Sequence, residues 1–103
     1  MEQIDIDRAK ELMDKNEINI IDIRDQNSFE EAHIQNAVHV HDGNLEDFIN
    51  TADKNKPLMC YCYHGFSSQN AAAFFKERGF KTVYSMEGGF EAWRSQYPIA
   101  NES

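Results

Sequence analysis

"PLMCYCYHGFSS", residues 57–68, decides how this chain is read. Its first half, Pro57 to Cys62, is a short apolar run of strand-forming residues. Its second half gives way to a loop: Gly65 permits a tight turn with positive φ, and Ser67 or Ser68 can cap a helix. That helix pattern follows at once, with Ala71, Phe74, Phe75 and Arg78 in one stripe and Gly79 positioned to end it. Outward from this unit the same alternation recurs. "NIIDI" (19–23), "AVHV" (37–40) and "KTVYS" (81–85) read as strands, and a further short strand is expected around Ile4. Between them lie helical stripes: Ala9, Leu12 and Met13 after Asp7 as N-cap, and Leu45, Phe48 and Ile49 after Asn44. Asn27 with Glu30 reads as a capping box opening a short helix through Ala32, and Phe90, Trp93 and Tyr97 form a last stripe before Pro98. Strands alternating with helices predict an α/β domain, a parallel sheet covered on both faces. In such sheets ligand sites lie beyond the C-terminal ends of the strands, which is where Cys62 falls.

The chain has 103 residues, the size of one domain, expected over 1–103 with a loose tail from about 99 to 103. With 41% hydrophobic and 12% aromatic residues it reads as globular rather than disordered. The net charge of −8 argues against nucleic acid as a partner, because phosphate binding needs clustered cations. There is no apolar run of about 18 residues, so no membrane span is expected. The N-terminus shows no basic segment followed by an apolar one, which leaves the cytoplasm as the default compartment. In a reducing compartment two cysteines point to thiol or metal chemistry before a structural disulfide.

Side chains alternate along a strand, so Cys60 and Cys62 share a face if the strand runs through both and can diverge if it ends at Tyr61. Cys60, inside an apolar run, reads as a small buried hydrophobe. Cys62 stands where a loop can aim backbone N–H groups at its sulfur and a helix N-terminus adds positive potential; both favour a thiolate. On spacing alone that reading stands beside an ordinary cysteine at a strand end. A metal site built on Cys60, Cys62 and His64, with His33, His39 or His41 as a fourth ligand, has the wrong Cys-x-Cys spacing and no second pair. Phosphatase chemistry needs a guanidinium closing the loop at position 68, where this chain has Ser68. A Cys60–Cys62 dithiol lacks the Cys-x-x-Cys spacing of the oxidoreductases.

Three segments together resemble the rhodanese family of sulfurtransferases. "CYHGFSS" (62–68) is similar to its active-site loop, "IDIRDQNSFEEAHIQNAVHV" (21–40) to its N-terminal signature, and "SMEGGFEAW" (85–93) to its C-terminal one. The resemblance covers nearly the whole chain. It implies a roughly five-stranded parallel sheet flanked by helices on both faces, and a Cys62 that takes sulfane sulfur from thiosulfate as a persulfide and passes it to a thiophilic acceptor. That acceptor would be cyanide in vitro and a dithiol such as thioredoxin in the cell; no metal and no cofactor is implied. Residues Tyr63 to Ser68 would cradle the persulfide, with the Ser67 and Ser68 hydroxyls as added donors. Gly65 would allow the turn, and Tyr63, His64 and Phe66 would shape the mouth. Asp22 and Arg24 match the family's Asp-x-Arg and read as a structural pair near the site. Trp93 reads as core, His33 as a hydrogen-bonded turn residue, and His39 and His41 as surface or strand-end residues. Two other uses of the same residues are a persulfide carrier serving one biosynthetic partner and a non-catalytic binding module of the same fold. Retention of Cys62, Gly65 and the serine pair favours the enzyme over the module.

The departures from the family pattern are informative. From Cys62 to Asn70 there is no Lys or Arg, so His64 is the only loop side chain able to carry positive charge. Weak thiosulfate binding and a pH dependence through His64 are the expected consequences. The family's Gly-His-Ile is Ala32-His33-Ile34 here, and its Pro-Gly-Ala turn is Gln35-Asn36-Ala37, which survives because Asn tolerates positive φ.

Overall fold

A computed structural model describes residues 2–101. Five strands and five helices alternate: β1 Glu2–Ile4, α1 Ile6–Asp14, β2 Asn19–Asp22, α2 Gln26–Glu31, β3 Val38–His39, α3 Leu45–Thr51, β4 Leu58–Tyr61, α4 Ser67–Glu77, β5 Val83–Met86 and α5 Gly89–Arg94. The strands form one parallel sheet in the order β1-β5-β4-β2-β3. The most apolar segment, β4, lies at its centre, buried at every position.

Alternation along β4 sorts the core into two halves. Met59 and Tyr61 face one side, packed with Leu12 of α1 and Phe90 and Trp93 of α5. Leu58 and Cys60 face the other, packed with Ile49 of α3 and Ala72 and Phe75 of α4. Helices therefore cover both faces, as the sequence pattern predicts. Trp93 is fully buried and donates its indole N–H to Pro98 O at 3.1 Å.

The starts of α1 and α2 differ from the sequence reading. In α1 the N-cap is Asp5, which accepts from Arg8 N at 2.8 Å; Asp7 lies in the first turn and hydrogen-bonds the Tyr97 hydroxyl. In α2 it is Asp25, which accepts from both Ser28 N and Ser28 Oγ, so Asn27 lies inside the helix. In each case a carboxylate sits close enough upstream to reach the free N–H groups of the first turn. Asn44 does occupy the cap position of α3, but its side chain binds His41 N and His39 O at 2.8 Å each and secures the preceding loop instead. Asn36 adopts φ +72°, closing the turn through Ala37 N to Ile34 O at 3.0 Å.

Of the segment 99–103, Ala100 pairs with His33 through two backbone hydrogen bonds, while residues 102 and 103 lie outside the described residues. No helix among the described residues is long and apolar enough to cross a membrane.

Candidate active site

The central strand ends at Tyr61, and the chain turns away at Cys62. The two cysteines consequently part. Cys60 is fully buried against α4, and burial pushes its thiol far above the ordinary value. Cys62 is 8% exposed and opens into a cavity of ≈ 250 Å³ beyond the sheet, walled by Ile23, Arg24, Tyr63, His64, Phe66 and Ser67. Both cysteines are free thiols.

The loop after Cys62 folds back on the sulfur. Gly65 N and Ser68 N each lie 3.3 Å from Cys62 Sγ, and Ser68 Oγ lies 3.4 Å from it. Gly65 adopts φ +91°, and a Cβ there would meet Gly88 N at 3.0 Å and Met86 O at 3.2 Å, so the turn requires glycine. Burial alone would raise the Cys62 thiol. Hydrogen bonds from the Ser68 hydroxyl and from the backbone N–H groups of Ser68, Gly65 and His64 outweigh burial and bring it below the ordinary value.

The serines do not cap α4 as the sequence suggests. Phe66 holds the cap position with no side-chain bond, and Ser67 and Ser68 are the first helical residues. The Cys62 sulfur takes the free N–H of Ser68 in the role a capping oxygen would play. The two serines then separate: Ser68 is fully buried beneath the sulfur, whereas Ser67 stands exposed on the cavity rim. Tyr63 is half-buried and donates to Ser28 Oγ at 3.0 Å, His64 is exposed, and Phe66 is 76% exposed at the mouth.

Asp22 and Arg24 lie beside this loop. Arg24 Nη2 donates to Asp22 Oδ2 at 2.7 Å and to Ala32 O at 2.6 Å, and Nε donates to both carboxylate oxygens at 3.1 Å. Burial works against the Arg24 charge, but the Asp22 carboxylate more than compensates and raises its pKa. The guanidinium lies 4.2 Å from the Phe90 ring centre and 4.8 Å from that of Tyr63. This pair joins the end of β2 to the end of α2, to α5 and to the loop. The histidines divide similarly: His33 stacks on Phe29 and binds Phe29 O, His39 binds Arg24 O, and His41 is exposed beyond β3. Among the described residues no group of three or more His, Cys, Asp or Glu side chains is arranged to hold a metal ion.

Three features of the site escaped the sequence reading. Gly89, at φ +61°, lets α5 press on the start of the loop, where Phe90 N donates to Cys62 O at 2.8 Å and Glu91 N to Tyr63 O at 3.0 Å. Ser28 braces Tyr63 from α2. Ser85, buried in β5, lies 2.7 Å from Ser68 Oγ. The signal for Ser85 was a hydroxyl residue set within an otherwise apolar strand. A larger cleft of ≈ 300 Å³ opens at the other end of β2 around Asn16, Asn19 and Asn36, lined by neither a charged side chain nor a cysteine.

A parallel five-stranded sheet with a cysteine held in such a loop at its C-terminal edge defines a class, and the comparisons agree with it. The rhodanese-like domain family matches residues 5–96, and the chain belongs to that family. A protein of Coxiella burnetii named thiosulfate sulfurtransferase GlpE is 50% identical over 93 residues, which cover 90% of this chain and 87% of that one. A Pseudomonas aeruginosa protein of the same name is 46% identical over 97 residues, covering 94% and 87%. Among solved structures, a rhodanese-like domain protein from Staphylococcus aureus superposes with a TM-score of 0.85 over the full length of both chains, at 23% identity.

Proposed function

We propose that this chain is a thiosulfate sulfurtransferase in which Cys62 carries the sulfur. The observation that carries this reading is the set of groups around the Cys62 sulfur, two backbone N–H donors at 3.3 Å and the Ser68 hydroxyl, able to donate to a thiolate, at 3.4 Å, at the floor of an open cavity. Such a set stabilises an anion on sulfur both before and after transfer.

The Cys62 thiolate attacks the outer sulfur of thiosulfate. Its lone pair forms the new S–S bond, the old S–S bond breaks, and sulfite leaves with that electron pair. The negative charge of the thiolate reappears on the terminal sulfur of the Cys62 persulfide. An acceptor then attacks that terminal sulfur: cyanide leaves as thiocyanate, and a thiolate leaves as its own persulfide, regenerating Cys62 as thiolate in either case. In a dithiol acceptor the second thiol closes a disulfide and releases the sulfur as hydrosulfide. Phe66, 76% exposed at the rim, offers an apolar foothold to a protein dithiol such as thioredoxin. The charge of Arg24 is matched by Asp22, and the loop itself carries no Lys or Arg, which makes thiosulfate binding weak. A dithiol acceptor must be kept reduced, so the reaction belongs in the cytoplasm.

Intact mass after incubation with thiosulfate tests the assignment. Wild type and Cys60→Ser gain one sulfur atom and Cys62→Ser gains none. A gain in Cys62→Ser, or none in wild type, would refute it.

A further inference from the structure

Ser85 is 1% exposed, on the α4 side of the sheet, in register with Cys60 on the neighbouring strand. A hydroxyl sealed from water needs a hydrogen-bond partner. Its Oγ lies 2.7 Å from Ser68 Oγ, and Ser68 Oγ lies 3.4 Å from Cys62 Sγ. The three groups form a line that begins in β5 and ends at the reacting sulfur. Each hydroxyl has one proton to donate and can accept in return. If Ser68 donates to Ser85, it has no proton left for the sulfur. If Ser85 donates to Ser68, the Ser68 proton is free for Cys62.

We propose that Ser85 is a positioning residue for Cys62, donating its hydroxyl to Ser68 Oγ and so turning the Ser68 proton onto the sulfur whenever Cys62 is a thiolate. In the thiol state the line reverses: the Cys62 S–H donates to Ser68 Oγ, and Ser68 donates to Ser85 Oγ. One proton, taken up by the sulfur from solvent or returned to it through the open cavity, and two hydroxyl rotations exchange the states. Hydrogen bonds in series polarise one another, so the Ser85 bond strengthens the one that reaches the anion. This rests on the reading of Cys62 as a working thiolate. The charged or titratable groups that line the same cavity are Arg24 and Asp25 from the segment after β2, and Tyr63 and His64 from the loop; Cys60 adjoins from β4. The α4 and β5 elements contribute only uncharged groups, Ser67 on the cavity rim and Ser68 and Ser85 buried beneath the sulfur. All the titratable groups are unchanged in the variants that follow.

The test is the rate of Cys62 alkylation by iodoacetamide against pH, read by peptide mass, in wild type, Ser85→Ala, Ser68→Ala and the double variant. Ser85→Ala is expected to raise the apparent pKa of Cys62 by about half a unit, which slows alkylation about threefold below that pKa. Ser68→Ala removes the direct donor and shifts it further. In the Ser68→Ala background the Ser85 change adds nothing, because its route to the sulfur is gone. An unshifted pKa in folded Ser85→Ala would overturn the proposal, and so would an equal shift in both backgrounds, which would mean Ser85 acts through packing. The assay contains no thiosulfate. A missing mass gain would therefore remove the transfer reaction and leave this result standing, and the reverse holds equally.

Discussion

Gly89→Ala places one methyl group where α5 meets the active-site loop. At φ +61° an alanine pays about 1–2 kcal/mol for its left-handed backbone. Its Cβ would also lie 2.4 Å from Tyr63 C and O and 2.6 Å from Cys62 O, all of them backbone atoms that no side-chain rotation can clear. The helix must back away, which lengthens the bonds from Phe90 N to Cys62 O and from Glu91 N to Tyr63 O, each worth about 1 kcal/mol. The sum is a loss of about 3–4 kcal/mol, or roughly 15–25 °C in melting temperature for a domain of this size. Urea titration followed by the fluorescence of Trp93, the chain's one tryptophan and a buried one, measures it directly. Gly43→Ala is the control. Its Cβ would meet only the ring of exposed His41, which can swing aside, so a change within about 1 kcal/mol is expected. A loss below about 1 kcal/mol for Gly89→Ala would refute the claim that this contact holds the loop.

Arg24→Met leaves the Asp22 carboxylate fully buried and unpaired and also removes the bond to Ala32 O; about 3–5 kcal/mol should be lost in urea titration, and a loss under about 1 kcal/mol would show that the pair is not structural. At alkaline pH the buried Cys60 thiol and the Tyr61 phenol both have folded pKa values raised by burial, so their contribution to stability is complete below the unfolded values and is lost as pH rises. The melting temperature should fall from about pH 8.5 upward and more steeply beyond about pH 10, with the first part of the fall reduced in Cys60→Ala; a flat profile would contradict this. Cys62 acts in the opposite sense. Its depressed pKa gives a contribution that is present above the unfolded value and lost as pH falls through the folded one.

Much of this molecule was legible in its sequence. The alternation of strand and helix patterns predicted the layers, and "PLMCYC" ahead of a glycine-bearing loop put Cys62 at the C-terminal edge of the sheet. The burial of Cys60 followed from its place inside the same apolar run. The helix starts were less legible: Asp5 and Asp25 compete with nearby polar residues for one role, and a shift of two residues is decided by which oxygen reaches the N–H groups. The serine pair was read as a unit, yet burial splits it. Ser68 turns beneath the sulfur and Ser67 onto the rim, because successive residues of a helix's first turn point in different directions.

By itself, then, the sequence determined the elements, their layering and the placement of Cys62 at the strand end, since these follow from periodicity and from strand–loop–helix order over a few residues. Only the tertiary structure decided what surrounds that cysteine. Ser85 reaches Ser68 because β5 pairs with β4 in a register that sets Ser85 opposite Cys60. Gly89 bears on Tyr63 because α5 closes over the loop, and Arg24 meets Phe90 for the same reason. These contacts join residues 17 to 66 positions apart. Local preference carries no record of strand register. It is set by the packing of both sheet faces at once, and a slip of one residue would have turned Ser85 away from the sulfur altogether.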